Sequence, residues 1–214
     1  MYNEPEYTQV CEDRDFAEWH GGCPWCAVWV LRVDSLEVDA RVARARQRLA
    51  PWLLPRYERQ PHITLAYRGL MAEQGGAEFA AAQLQADVLA LKHAQLQPFT
   101  ARLRGIGSFS TVPYFSVEAD TPLQEAHEAL ASAQPYVGWH YVPHVTLGHY
   151  SRQVPMATVM TAWQAAEPDL DVAVNALWLA RYRTHDIAGP LSYEGRFDLQ
   201  TQTHQAQPDA LLQR

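Results

Sequence analysis

The pentapeptide Pro61-His62-Ile63-Thr64-Leu65 returns 82 positions later as Pro143-His144-Val145-Thr146-Leu147, with one conservative change. Each copy is a run of β-formers entered from a proline, which reads as a strand that follows a turn. In a strand, side chains at i and i+2 share a face. His62 and Thr64 therefore point one way, and Ile63 and Leu65 point into a core. The same holds for His144 and Thr146 against Val145 and Leu147. A fold that satisfies both copies contains two half-buried strands, each presenting an imidazole beside a hydroxyl. If the strands meet, one cleft holds two histidines and two threonines. That set suits in-line chemistry on a phosphodiester. One imidazole takes a proton from water, the other protonates the leaving oxygen, and the hydroxyls bond the phosphoryl oxygens. A lone strand histidine is usually packed or solvated. A matched pair, placed alike in two similar half-chains, is a candidate site.

The similarity of the halves rests on element order. Cys26–Asp34 reads as a strand, and Ser35 as the N-cap of a helix from Leu36 to about Leu54. Arg41, Arg44, Arg46 and Arg48 are expected on its solvated face. The first histidine strand, His62–Arg68, is followed by an Ala- and Leu-rich helix, Glu78–Ala94, and a strand, Phe99–Ile106. Gly105–Thr111 reads as a loop. The second half repeats the order: strand Tyr114–Ala119, helix Pro122–Ala133, histidine strand His144–Tyr150, helix Pro155–Ala166, and a long strand Asp171–Arg183. Pro190–Leu199 reads as an edge strand. Two pseudo-symmetric halves, about 26–111 and 112–199, give an α+β, bilobal class with antiparallel-rich sheets around a central cleft. Residues 1–25 read as an arm and 200–214 as a mobile tail.

Composition narrows the function. The net charge of −7 argues against an extended nucleic-acid footprint, but leaves room for a nucleotide or an RNA end. Lys92 is the only lysine. No apolar run approaches a membrane span, and the acidic N-terminus lacks a secretory pattern, so a cytoplasmic, monomeric protein is expected. Three cysteines give no disulfide framework. Cys23 and Cys26 have CxxC spacing, with Cys11 and His20 upstream. A zinc or redox role is one alternative, and small buried hydrophobes the other. No HExxH, carboxylate cluster or P-loop accompanies the histidines, so no cofactor and no metal are expected.

At the paired motifs the chain resembles the 2H phosphoesterase superfamily, and within it the bacterial RNA 2′,3′-cyclic phosphodiesterases, also called 2′-5′ RNA ligases. The resemblance covers about residues 26–199. It implies a bilobal fold, metal-independent hydrolysis of a nucleotide-type cyclic phosphate or a 2′-5′ linkage, and catalysis by His62, Thr64, His144 and Thr146. His144 is the expected base and His62 the expected acid. Gly105, Gly107 and Phe109 match a glycine-rich stretch near the cleft, and Tyr67 falls where relatives often have an aromatic. His149 stands where many relatives carry Arg. By strand parity, Arg68 shares the face of His62 and Thr64, and Tyr150 that of His144 and Thr146, so both are expected to reach substrate. His140 and His149 flank the second motif. Trp139, with Tyr136 and Tyr141, offers an aromatic face for a base. A non-catalytic nucleotide-binding module is the alternative. Two ordinary imidazoles predict a bell-shaped pH profile with limbs near 6.5.

Overall fold

The computed structural model describes residues 5–71, 78–131, 141–163 and 168–212. Its core is built on β1 (Trp25–Arg32), buried on both faces between the antiparallel neighbours β2 (His62–Met71) and β7 (Ala176–Arg183). Alternation sorts the side chains of β1. Ala27, Trp29 and Leu31 enter the main core, while Val28 and Val30 join a second apolar cluster with Tyr67, Trp178, Tyr182 and Tyr193.

The main core is closed by amphipathic helices. In α2 (Leu36–Leu49), Val38, Val42, Ala45 and Leu49 recur at helical spacing and are buried. Ser35 caps it, its hydroxyl accepting from the Val38 amide at 3.3 Å. A 3₁₀ turn at Ala50–Trp52 ends it early, because Pro51 lacks the amide a longer helix needs. α3 (Ala81–Ala94) buries Leu84 and Leu91, and α4 (Thr121–Ala131) buries Leu123, Ala126 and Leu130. α1 (Ala17–His20) and α5 (Met156–Ala162) are short.

The strands form two antiparallel sheets. The first runs β2-β1-β7-β8-β9, with β8 Ser192–Asp198 and β9 Thr203–Ala206. The second runs β5-β4-β3-β6, with β3 Phe99–Ser108, β4 Pro113–Val117, β5 His144–Thr146 and β6 Leu170–Val174. The sheets cut across the halves of the sequence. β3 pairs with β4 and β6, and β7 pairs with β1, so each half lends its last long strand to the other. The single strand expected over Asp171–Arg183 is therefore two, parted at Asn175 and belonging to different sheets. The edges β2 and β5 lie in contact, which brings the two motifs together.

Two further expectations change, and the N-terminal cysteines find their places. The 200–214 tail is not free: β9 pairs with β8, and Leu211 and Leu212 pack against the core. Arg41 is buried rather than solvated. It donates to the carbonyls of Pro168 and Arg104 and lies over the Phe115 ring. Cys11, His20, Cys23 and Cys26 do not converge. Cys11 and Cys23 reach the carbonyls of Thr111 and Met71, and His20 pairs with Asp15. Cys26 is buried on β1, and burial pushes its thiol up to about 11.

Candidate functional site

The two motifs repeat their side-chain chemistry as well as their sequence. His62 Nδ1 lies 2.8 Å from the carbonyl of Gln60, and His144 Nδ1 lies 2.6 Å from that of Val142. Each partner is the carbonyl two residues upstream. A carbonyl only accepts, so each Nδ1 carries the proton, and each Nε2 is left as the basic nitrogen. His144 on β5 stands opposite Ser116 of β4, and Thr146 opposite Tyr114. His62 on β2 stands opposite Arg32 of β1, and Thr64 opposite Val30. The imidazoles are near enough that the charge of His144 helps lower the pKa of His62.

Electrostatics differ between them. Burial is the main cause in both and disfavours the imidazolium. For His62 it is joined by the positive charges of Arg59 and His144, and the pKa falls to about 4. His144 is also lowered, by burial, against the opposing bond from Val142.

The strands are tied across the cleft. The Tyr141 hydroxyl donates to the Thr64 carbonyl at 3.1 Å, and His127 Nδ1 donates to the Leu65 carbonyl at 2.8 Å. The Tyr141 and His127 rings stack at 3.9 Å. This places His127 in a structural role and uses Tyr141 as a strut rather than as a platform for a base.

Phe109 lies where the glycine-rich stretch predicts, its ring edge-on to His144 at 5.0 Å. Tyr114, which sequence reasoning passed over, completes a three-ring group at 4.5 Å from Phe109 and 5.2 Å from His144. Gly107 makes room for it: a Cβ there would sit 2.6 Å from the Tyr114 ring. The alternation of the motif strand of β5 pointed to a facing residue on a neighbouring strand, but not to its identity.

Two expected substrate contacts fail on geometry. β2 is bulged against β1 at Leu65 and again at Arg68, where the register shifts. The bulges restore Tyr67 to the face of His62 and Thr64, opposite Val28, and turn Arg68 under α3. There Arg68 is buried, with a 2.5 Å ion pair to Asp87, whose other oxygen accepts from Trp29. Tyr150 fails because β5 ends at Thr146. Gly148 takes φ +154°, and the chain then pairs with the segment after α2, Tyr150 bridging to Leu53. The Tyr150 side chain is fully buried, with its hydroxyl 2.6 Å from that of Ser108. Trp139, Tyr136 and His140 lie outside the described residues.

His149 lies at the site but not as a cation. Burial, with the nearby Arg59 charge, lowers its pKa to about 4. The positive charge comes from two arginines that sequence reasoning did not select. Arg46 on α2 donates through Nε to the carbonyl of Leu147, beside the second motif, and lies 4.9 Å over the ring of Tyr57. Arg59 donates through Nε to the Gly189 carbonyl and lies over Tyr182. In each, Nη2 is buried and has no partner among the described residues. Tyr57 links them to the motif, its hydroxyl interacting with Thr146 and its ring meeting His149 at 5.2 Å. The two motifs supply two basic imidazole nitrogens and two hydroxyls, with the guanidinium groups of Arg46 and Arg59 both in charge range of the Tyr57 hydroxyl. Among the described residues, no group of His, Cys, Asp and Glu is arranged to hold a metal.

Solved structures share the fold. The fold is similar to TT0787 of Thermus thermophilus, at 22% identity and TM-score 0.53, over 81% of this chain and 97% of that one. It is similar to E. coli LigT complexed with 3′-AMP, at 17% identity and TM-score 0.55, over 82% and 98%. The phosphate complex of E. coli LigT matches at 17% identity and TM-score 0.51, over 82% and 97%. No curated protein sequence matches significantly. Residues 30–186 match the sequence model of the 2′-5′ RNA ligase superfamily, spanning both motifs, and the chain belongs to that family.

Proposed function

We propose that the protein is a phosphodiesterase that hydrolyses a nucleotide-type cyclic phosphate or a 2′-5′ linkage by two-histidine acid–base catalysis. The observation that carries this reading is the matched pinning of His62 and His144. Both rings are fixed through Nδ1 by an upstream carbonyl, which leaves two Nε2 atoms for proton transfer, each on a strand that carries a threonine two residues further on. Binding alone does not need two imidazoles held in one tautomer.

The roles follow from the electrostatics. Burial lowers both imidazoles, and at His62 the charges of Arg59 and His144 lower it further, which supports His144 as the ring that holds the single proton of the working pair. His62 then takes the proton from water, and His144 delivers its proton to the leaving oxygen. This reverses the assignment made from sequence. Attack of the activated water on phosphorus forms the new P–O bond as the bond to the leaving alkoxide breaks. Thr64 and Thr146 bond the phosphoryl oxygens, and Arg46 and Arg59 offset the charge that builds on them. The chemistry is complete without a metal.

The test is a screen of 2′,3′-cyclic nucleotides, 2′-5′ dinucleotides and cyclic dinucleotides in EDTA, with products assigned by phosphorus NMR. The expected result is turnover of one class, unchanged by the chelator. Tight nucleotide binding with no turnover of any class makes the protein a binding module instead.

A further inference from the structure

We propose that the cavity beneath the N-terminal arm is a nucleoside subsite that adjoins the phosphate site, so that the substrate is a mononucleotide-sized phosphate rather than a long RNA. The inference rests on the phosphoesterase reading above and names the substrate of that site.

The arm precedes the segment that matches the family and is a fixed wall of the structure. Thr8 and Cys11 donate their amides to the carbonyls of Val154 and Tyr150, at 2.9 and 2.8 Å, and Gln9 donates to Ser110. The Thr8 side chain is fully buried, donating to Arg152 and accepting from the Val154 amide. Further along, Asp13 pairs with Arg56, which also holds Asp186 beyond β7. The arm is therefore fixed at one end against the segment that follows the second motif and, through Arg56, linked at the other to the loop after β7.

Between arm and loop lies a cavity of about 440 Å³, in the size range of small-molecule pockets. It is lined by Val10, Cys11, Phe16, Ile187 and His149, and by the ion-paired Glu12 and Arg14. Val10 is 56% exposed, an apolar side chain that nothing in the protein covers. Nδ1 of His149 is shut off from solvent and has no hydrogen-bond partner among the described residues. A buried polar atom left so is costly, and a ligand that supplies the bond removes the cost. His149 meets the ring of Tyr57, which meets Thr146, so the cavity is one aromatic ring away from the second motif.

The ligand class follows from this lining. Apolar side chains, an uncharged imidazole and the mutually neutralised Glu12–Arg14 pair suit a flat, uncharged group with a hydrogen-bonding edge, which is a nucleobase. A second phosphate does not fit the same place. The arm carries Glu12, Asp13, Asp15 and Glu18 against Arg14 alone, so a polyanion leaving the cleft here meets net negative charge.

Calorimetric titration of the full-length protein with inorganic phosphate, adenosine 3′-monophosphate and a 3′-phosphorylated tetranucleotide tests the proposal. In the wild type, the mononucleotide should bind at least about tenfold tighter than phosphate, and the tetranucleotide no tighter than the mononucleotide. Val10→Trp fills the cavity from an exposed position, and His149→Ala removes the hydrogen-bonding group. With melting temperature preserved, each should lower the ratio of nucleotide to phosphate affinity by about fivefold or more. If the wild type binds phosphate and nucleotide but both ratios stay unchanged, the cavity is not the subsite. Affinity that rises with chain length overturns the size limit. If the wild type binds neither phosphate nor nucleotide, the phosphoesterase reading fails and the subsite fails with it.

Discussion

His62 and His144 share one device, a carbonyl two residues upstream that fixes the ring and its tautomer, and they differ in charge environment. Burial lowers both imidazoles, so in the free protein the state with one proton on the pair is most populated below pH 6.5. Above it both rings are neutral and no acid is available. The kcat/KM profile should therefore peak on the acid side of 6.5 and fall as pH rises, rather than centre on the ordinary imidazole value. A bound phosphodiester is anionic and raises both pKa values, so the kcat profile should lie to the alkaline side of the kcat/KM profile. Rate profiles from pH 4 to 9 check this, and a kcat/KM maximum above 7 contradicts it. The role assignment has its own test. An ester of a nucleotide with 4-nitrophenol needs no acid for departure. On that substrate His144→Ala should lose little, while His62→Ala should still lose about 10²–10⁴-fold. Arg59→Gln removes charge-assisted donors at the phosphate and should weaken inorganic phosphate binding by about 10–100-fold, as read by calorimetry, from the ~1.5–3 kcal/mol of a bond to a charged group. The paired histidines were legible from one repeated motif. Arg46 and Arg59 were not, because a half-buried guanidinium with a free donor looks in sequence like any other arginine on a helix or turn.

At the scale of elements, strand parity decided what was legible. Over the three residues of each motif the alternation holds, and His62, Thr64, His144 and Thr146 lie as expected. Beyond the motifs it breaks, in β2 through two bulges and after β5 through the Gly148 turn. The bulges of β2 leave no plain signature, since they fall at Leu65 and Arg68 rather than at a glycine. Arg68 thus belongs to the packing of α3 on the first sheet. Arg68→Met leaves the Asp87 carboxylate buried without its partner and should destabilise the fold by about 3–5 kcal/mol in denaturant titration. Turnover per folded molecule should be unchanged. Loss of turnover with stability intact would return Arg68 to the site.

For the whole molecule, the repeat in the sequence is real at the level of element order, but it does not map onto separate sheets. A long strand such as Asp171–Arg183 reads as one element because its apolar pattern barely falters, and only the sheet pairing shows that it serves two lobes. This exchange ties the two lobes together, and the edge strands β2 and β5 meet between them. Among the described residues, no helix is long and apolar enough to cross a membrane. The central claim is that the two imidazoles act together on one phosphorus atom, and single-site kinetics test it most directly. On the best cyclic nucleotide, His62→Ala and His144→Ala should each lower kcat by about 10²–10⁴-fold with the melting temperature kept. The double variant should be little worse than the worse single one, because the pair acts as a unit. Near-normal turnover in either single variant, folded and with the nucleotide bound, would contradict the account.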